Sequence, residues 1–191
     1  MTRIDFVFDE PERVVVGTVG QPGERAFYLQ ARQGSRVCSV LMEKQQAALL
    51  ADALEEMLAD AAIADLAGAP TELADVKPLD VPLSEEFRVA RLGLGWQPAR
   101  QRIRVEAASA DSDGDDLDDD DSEVGDDDGS AAEPLQVLTV YITASYAREF
   151  IRRTRAVVAA GRRACPVCEQ PLDPQGHVCP RANGYHRLER R

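Results

Sequence analysis

The apolar residues of this chain change period twice, in the same order, and this constrains its fold more than any other feature. Val14-Val15-Val16 leads through Gly17 to Val19, and Gly20-Gln21-Pro22-Gly23 supplies a turn. Arg25 to Arg32 then alternates, with Phe27, Leu29 and Ala31 on one side. Behind the turn Gln33-Gly34-Ser35, Arg36 to Met42 is a further β-rich run. From Gln45 to Ala62 the spacing becomes helical. Leu50, Leu54, Met57, Leu58 and Ala61 fall at i, i+4, i+7, i+8 and i+11, a single apolar stripe.

The second half repeats this order. Gln97 to Ala107 lies under Gln21 to Ala31 at an ungapped offset of 76, with Gly93 under Gly17 and Leu92 and Leu94 under Val16 and Thr18. Val137 to Val158 lies under Val37 to Leu58 at an offset of 100. The offsets differ by the length of an acidic stretch, about Ser109 to Ala132. The pattern predicts an α+β fold of two repeated strand-strand-strand-helix units. They form a mixed or antiparallel sheet, with the helices packed on it and a C-terminal zinc knuckle appended. Residues 1–63 form the first unit and 64–83, with Gly68, Pro70, Pro78 and Pro82, a linker. Residues 84–160 form the second unit with its insertion at 109–132, and 161–191 an Arg-rich tail.

The insertion has no aromatic residue and no apolar periodicity, so it is expected to be disordered. It also decides the charge. Between Asp111 and Asp128 stand 12 of the 34 acidic residues and no basic one, leaving 22 acids against 22 Lys and Arg elsewhere. The net charge of -12 is therefore a property of one segment. Asp111-Ser112-Asp113-Gly114-Asp115 lacks the glycine and glutamate that a calcium-binding EF-hand loop needs.

The strongest chemical signal is Cys165-Pro166-Val167-Cys168, followed by His177-Val178-Cys179 and by His186. Two thiolates two residues apart can point at one ion, and zinc takes four Cys or His ligands in a tetrahedron. Cys165, Cys168 and Cys179 are the secure ligands of a structural Zn2+. His177 is favoured as the fourth, since a His-x-Cys pair can present both side chains to one ion, and His186 is the alternative. Five candidates within 22 residues favour a closed site over a catalytic one with an open position. The remaining thiol, Cys38, sits in an apolar run and reads as a small buried hydrophobe.

On the second helix, about Ser145 to Ala160, Arg148, Arg152 and Arg155 form a basic stripe that Arg162 continues. This stripe is a possible anion-binding face, and from Arg148 to the end 10 Arg stand against 4 acids. No phosphate-binding loop, dinucleotide fingerprint or zinc-hydrolase helix motif occurs. The Met1 end has no basic stretch followed by an apolar run, and no stretch reaches the about 18 apolar residues of a membrane span. A cytoplasmic protein without a membrane partner is expected. It reads as a binding or adaptor module meeting protein or nucleic acid through the Arg-rich C-terminal region. The alternative is an enzyme with a polar pocket between the two units.

Arg3-Ile4-Asp5-Phe6, the hairpin from Gly20 to Leu29 and the closing segment from Cys165 to Tyr185 together resemble the actinobacterial domain-of-unknown-function family numbered 3090. The resemblance covers nearly the whole chain outside the acidic insertion. It implies an actinobacterial cytoplasmic protein and carries over no activity. The Arg to Lys ratio of 20 to 2 fits a GC-rich genome equally well.

Overall fold

The computed structural model describes residues 3–21, 23–60, 63, 75–110, 135–160, 165, 167–168, 179 and 181. The acidic insertion expected to be disordered falls almost wholly on residues outside these. So do His177, His186 and Arg162.

Among the described residues, eight strands and two helices follow one another as β1 (Arg3–Phe8), β2 (Arg13–Val19), β3 (Ala26–Gln33), β4 (Arg36–Met42), α1 (Lys44–Leu58), β5 (Glu85–Arg88), β6 (Arg91–Gln97), β7 (Arg102–Ala108), β8 (Leu135–Ile142) and α2 (Ala144–Ala159). Where one sheet was expected from the two units, the strands form two. Their orders are β2-β3-β4-β5 and β6-β7-β8-β1. Each is an antiparallel meander of three strands with a fourth added parallel, β5 on β4 and β1 on β8. The division at 64–83 therefore does not separate the sheets. β1, ahead of the first meander, completes the second sheet, and β5, beyond the linker, completes the first.

The registers of the two meanders correspond. Phe27 pairs with Met42, and Ile103 pairs with Ile142, as the offsets of 76 and 100 require. The first strands depart from this. Gly17 stands opposite Tyr28, whereas Gly93 stands opposite Glu106, and it is Gly95 that faces Arg104. The ungapped offset of 76 thus fails in β6 by two residues, because the turn at 98–101 is two residues shorter than that at 20–25.

Alternation puts Val14, Val16, Phe27, Leu29, Cys38 and Val40 on one face of the first sheet. Ile103, Val105, Leu138 and Val140 lie on the matching face of the second, and all join a single core. α1 contributes Ala47, Leu50, Ala51 and Leu54, and α2 contributes Ala147, Phe150 and Ile151. Both helices start at the residue after a cap. Gln46 Oε1 accepts from the Glu43 N–H at 2.8 Å, and Thr143 Oγ1 accepts from the Tyr146 N–H at 3.1 Å. The helices pack on each other and cross over, α2 against β2 and α1 against β6.

The other face of the first sheet is buried as well. Gln30 and Ser39, cross-strand partners, are each 1% exposed and hydrogen-bonded at 2.9 Å. Gln30 also grips Asp80 through both its carbonyl (3.1 Å) and its N–H (2.8 Å). Residues 75–80, within the stretch read as a linker, thus form a strap across this sheet. Leu79 of the strap lies over Gly17, where a Cβ would come within 2.6 Å of its side chain.

Candidate metal centre

Beyond α2 the chain brings three sulfurs together. The Sγ atoms of Cys165, Cys168 and Cys179 lie within 4.8 Å of one another, so the three cysteines could hold a metal ion. Cys165 Sγ and Cys179 Sγ are 3.8 Å apart, far beyond a disulfide bond of about 2.05 Å. Cys165 is buried, while Cys168 and Cys179 are partly exposed. The N–H groups of Cys168 and Val167 aim at the Cys165 sulfur, and with the neighbouring thiols they pull its pKa down to about 6 against the effect of desolvation. Arg181 donates to the Val167 carbonyl at 3.3 Å, tying the Cys179 side of the cluster to the Cys165-Cys168 turn. The C-x-x-C and later Cys spacing leads to the expectation of three neighbouring sulfurs, and the three thiols do lie together. The two histidines named for the fourth lie outside the described residues.

Cys38 is elsewhere, 2% exposed in the core, and burial pushes its thiol up to about 12. It is inert as a nucleophile or ligand.

Arg148, Arg152 and Arg155 do share one face of α2. With Glu55, Leu58 and Ile151 they line a cavity of about 580 Å³ between the two helices. Arg155 is committed within the molecule. It donates to Glu55 at 2.6 and 2.7 Å and to Asp52 at 2.8 Å, and its hydrogen bond holds the Glu55 carboxyl below the usual range. Arg152 pairs with Glu149 one turn earlier.

The sequence reading passed over a second polar cluster, built on the other side of α2. Tyr146, Glu149 and Arg153, at i, i+3 and i+7, line a cavity of about 260 Å³ with Val14, Thr143 and Asp75. The Tyr146 hydroxyl accepts from the Val14 N–H at 2.6 Å and donates to the Val14 carbonyl at 3.1 Å. Arg153 donates to the Val16 carbonyl at 3.1 Å, to the Lys77 carbonyl at 2.7 Å, and to both the carbonyl and carboxylate of Asp75. From β2, Arg13 reaches Asp75 at 2.6 Å and the Lys77 and Pro78 carbonyls at 2.9 Å each. Burial pushes the Tyr146 hydroxyl up and the Arg153 guanidinium down, and the Arg13 hydrogen bond holds Asp75 below the ordinary carboxylate range. The i, i+3, i+7 spacing was the available signal. It was overlooked because the neighbouring arginines form the more regular stripe.

No curated protein and no solved structure matches the chain. The family described as "Protein of unknown function (DUF3090)" matches residues 6–179, nearly the whole chain including the three cysteines, and the chain belongs to it.

Proposed function

We propose that this is a cytoplasmic binding protein whose C-terminal knuckle is built around one structural Zn2+. Its ligands are Cys165, Cys168, Cys179 and either His177 or His186. The observation that carries the reading is the 3.8 Å between Cys165 Sγ and Cys179 Sγ. Two sulfurs on a tetrahedral zinc, each about 2.3 Å from the ion, stand about 3.8 Å apart. Three thiolates also select a soft or borderline ion, and disfavour magnesium or calcium. Four protein ligands close the shell, which suits a structural site rather than a catalytic one.

A binding role is preferred to a catalytic one because the polar groups between the two halves are already spent. In the 260 Å³ cavity, Tyr146 and Arg153 bond backbone atoms of β2 and of the strap. The Arg-rich C-terminal region, from Arg148 and Arg152 onward, is the proposed contact for protein or nucleic acid. Among the described residues no helix is long and apolar enough to cross a membrane.

The matching registers of β3-β4 and β7-β8 support a second proposal, that the two halves descend from one duplicated unit. An experimental structure in which Phe27 and Ile103 do not hold equivalent registers would refute it.

Elemental analysis tests the metal reading. Protein purified under reducing conditions should carry about one zinc per chain, and Cys168→Ser should release it while the two sheets persist. Metal-free protein from the wild-type chain would sink the proposal.

A further inference from the structure

β2 and β6 are the outer strands of their sheets, so each turns one row of backbone N–H and C=O groups away from its neighbour. On β2 this row is covered by α2, through Tyr146 at Val14 and Arg153 at Val16. α1 meets β6 in the corresponding way, but it carries Gln46 and Ala53 at the corresponding positions. Gln46 turns aside to the Val89 carbonyl at 3.0 Å, and Ala53 has nothing to reach with. What remains is a groove of about 410 Å³ lined by Gln46, Leu49, Leu50, Ala53, Leu92 and Leu94. Leu49 on its rim is 65% exposed. Among the described residues no side chain bonds the backbone of Leu92 or Leu94.

We propose that this groove binds an extended peptide of another protein, added as a strand to β6 with two or three aliphatic side chains between α1 and β6. The centre of β6 lacks the side chains that blunt an edge. Its central residues Leu92-Gly93-Leu94-Gly95 include no proline and no charge. Strand addition satisfies the outward N–H and C=O groups with main-chain hydrogen bonds and leaves specificity to pockets for alternate side chains. Size separates this occupant from a second copy. Seven residues of strand span about 23 Å. A face one strand wide then buries roughly 300 Å² per partner, against about 800 Å² in a standard stable dimer. Charge sets the polarity. Glu56 lies one helical turn beyond Ala53, toward the end of β6. An antiparallel strand that is basic at its N-terminal end fits it.

The inference stands on α1 and β6 alone and is independent of the metal, so chelated protein should bind equally well. The probe is a fluorescein-labelled Lys-Thr-Leu-Thr-Leu-Thr peptide titrated with the full chain. Its anisotropy should saturate with a micromolar Kd, and the amide NMR signals of Arg91 to Gln97 should shift. Ala53→Arg imports the residue that closes the counterpart groove, and Leu49→Glu charges the rim. Both side chains are exposed, so each variant should bind at least tenfold more weakly with an unchanged melting temperature. Absence of saturation up to about 1 mM protein overturns the proposal. So does equal affinity in both variants. A dimer in sedimentation that Leu49→Glu dissolves would also overturn it, by assigning the groove to a second copy.

Discussion

The seam between α2 and β2 is closed by hydrogen-bonded polar groups, whereas the seam between α1 and β6 is lined by leucines. The backbone plan is the same in both, a meander, a helix and a parallel fourth strand. A few side chains make the difference: Tyr146 and Arg153 against Gln46 and Ala53. The outer faces differ in the same sense. Gln30 and Ser39 are both buried beneath the strap, while of their counterparts, the cross-strand pair Glu106 and Thr139, only Thr139 is buried and Glu106 pairs with Arg104 at 3.0 Å. Backbone register can therefore be held while surface chemistry diverges, since the core face and the outer face of a strand are set by alternate residues. One seam is armoured by polar side chains that the other lacks.

Paired substitutions sharpen this contrast. The largest effect should come from Arg13→Ala. Its side chain is 7% exposed and bonds Asp75 and two strap carbonyls, so removal takes one cationic partner from each of two partly buried carboxylates, leaving Asp75 with Arg153 and Asp80 with Arg32. A loss of about 3 kcal/mol is expected, at the low end for a broken buried ion pair because both carboxylates keep contact with water. Leu49→Ala, on the exposed rim of the seam between α1 and β6, should change stability by less than about 0.5 kcal/mol. Urea unfolding of both variants measures the difference, and equal losses would dissolve the comparison.

A smaller effect is expected at the paired glycines. Gly17→Ala puts a methyl group 2.6 Å from the Leu79 side chain and should cost about 1–2 kcal/mol as the strap is displaced. At Gly95→Ala the nearest atom is Arg104 Nε at 3.8 Å, ordinary contact. Relief from glycine's chain entropy should make that variant neutral or up to about 0.5 kcal/mol more stable. Thermal denaturation decides both signs.

The smallest effect is a pH dependence that arises in the armoured half. Asp75 has its pKa depressed, first by the Arg13 hydrogen bond, so it titrates lower in the folded chain than in the unfolded one. Its contribution is complete above the unfolded value near pH 4 and is lost as pH falls through the folded one. Asp75→Asn should lower stability at pH 7 and flatten the profile below about pH 4. An unchanged slope in that variant would remove Asp75 from the account.

Much of this arrangement was legible in the residues. The switch from alternation to a 3.6-residue period at Met42 and again at Ile142 marks both strand-to-helix junctions, and the cysteine spacing marks the three sulfurs. Other parts depend on contacts that no local pattern encodes. β5 is four residues long, and three of them, Glu85, Glu86 and Arg88, are charged. It is a strand because β4 offers it an edge. β1 likewise depends on β8, more than a hundred residues away. The strap was read as a linker because of its prolines. Those prolines leave carbonyls such as that of Pro78 available to Arg13. The glycine alignment in β6 slipped by two residues because a shorter turn is invisible when Gly93 and Gly95 both offer a match to Gly17.

The metal centre is where the chemistry concentrates, and X-ray absorption at the zinc K-edge of the purified, reduced chain tests it most directly. The predicted spectrum has three sulfur neighbours at about 2.3 Å and one nitrogen at about 2.0–2.1 Å, from Cys165, Cys168, Cys179 and one histidine. A shell of oxygen and nitrogen alone, or a protein without zinc, would contradict the account.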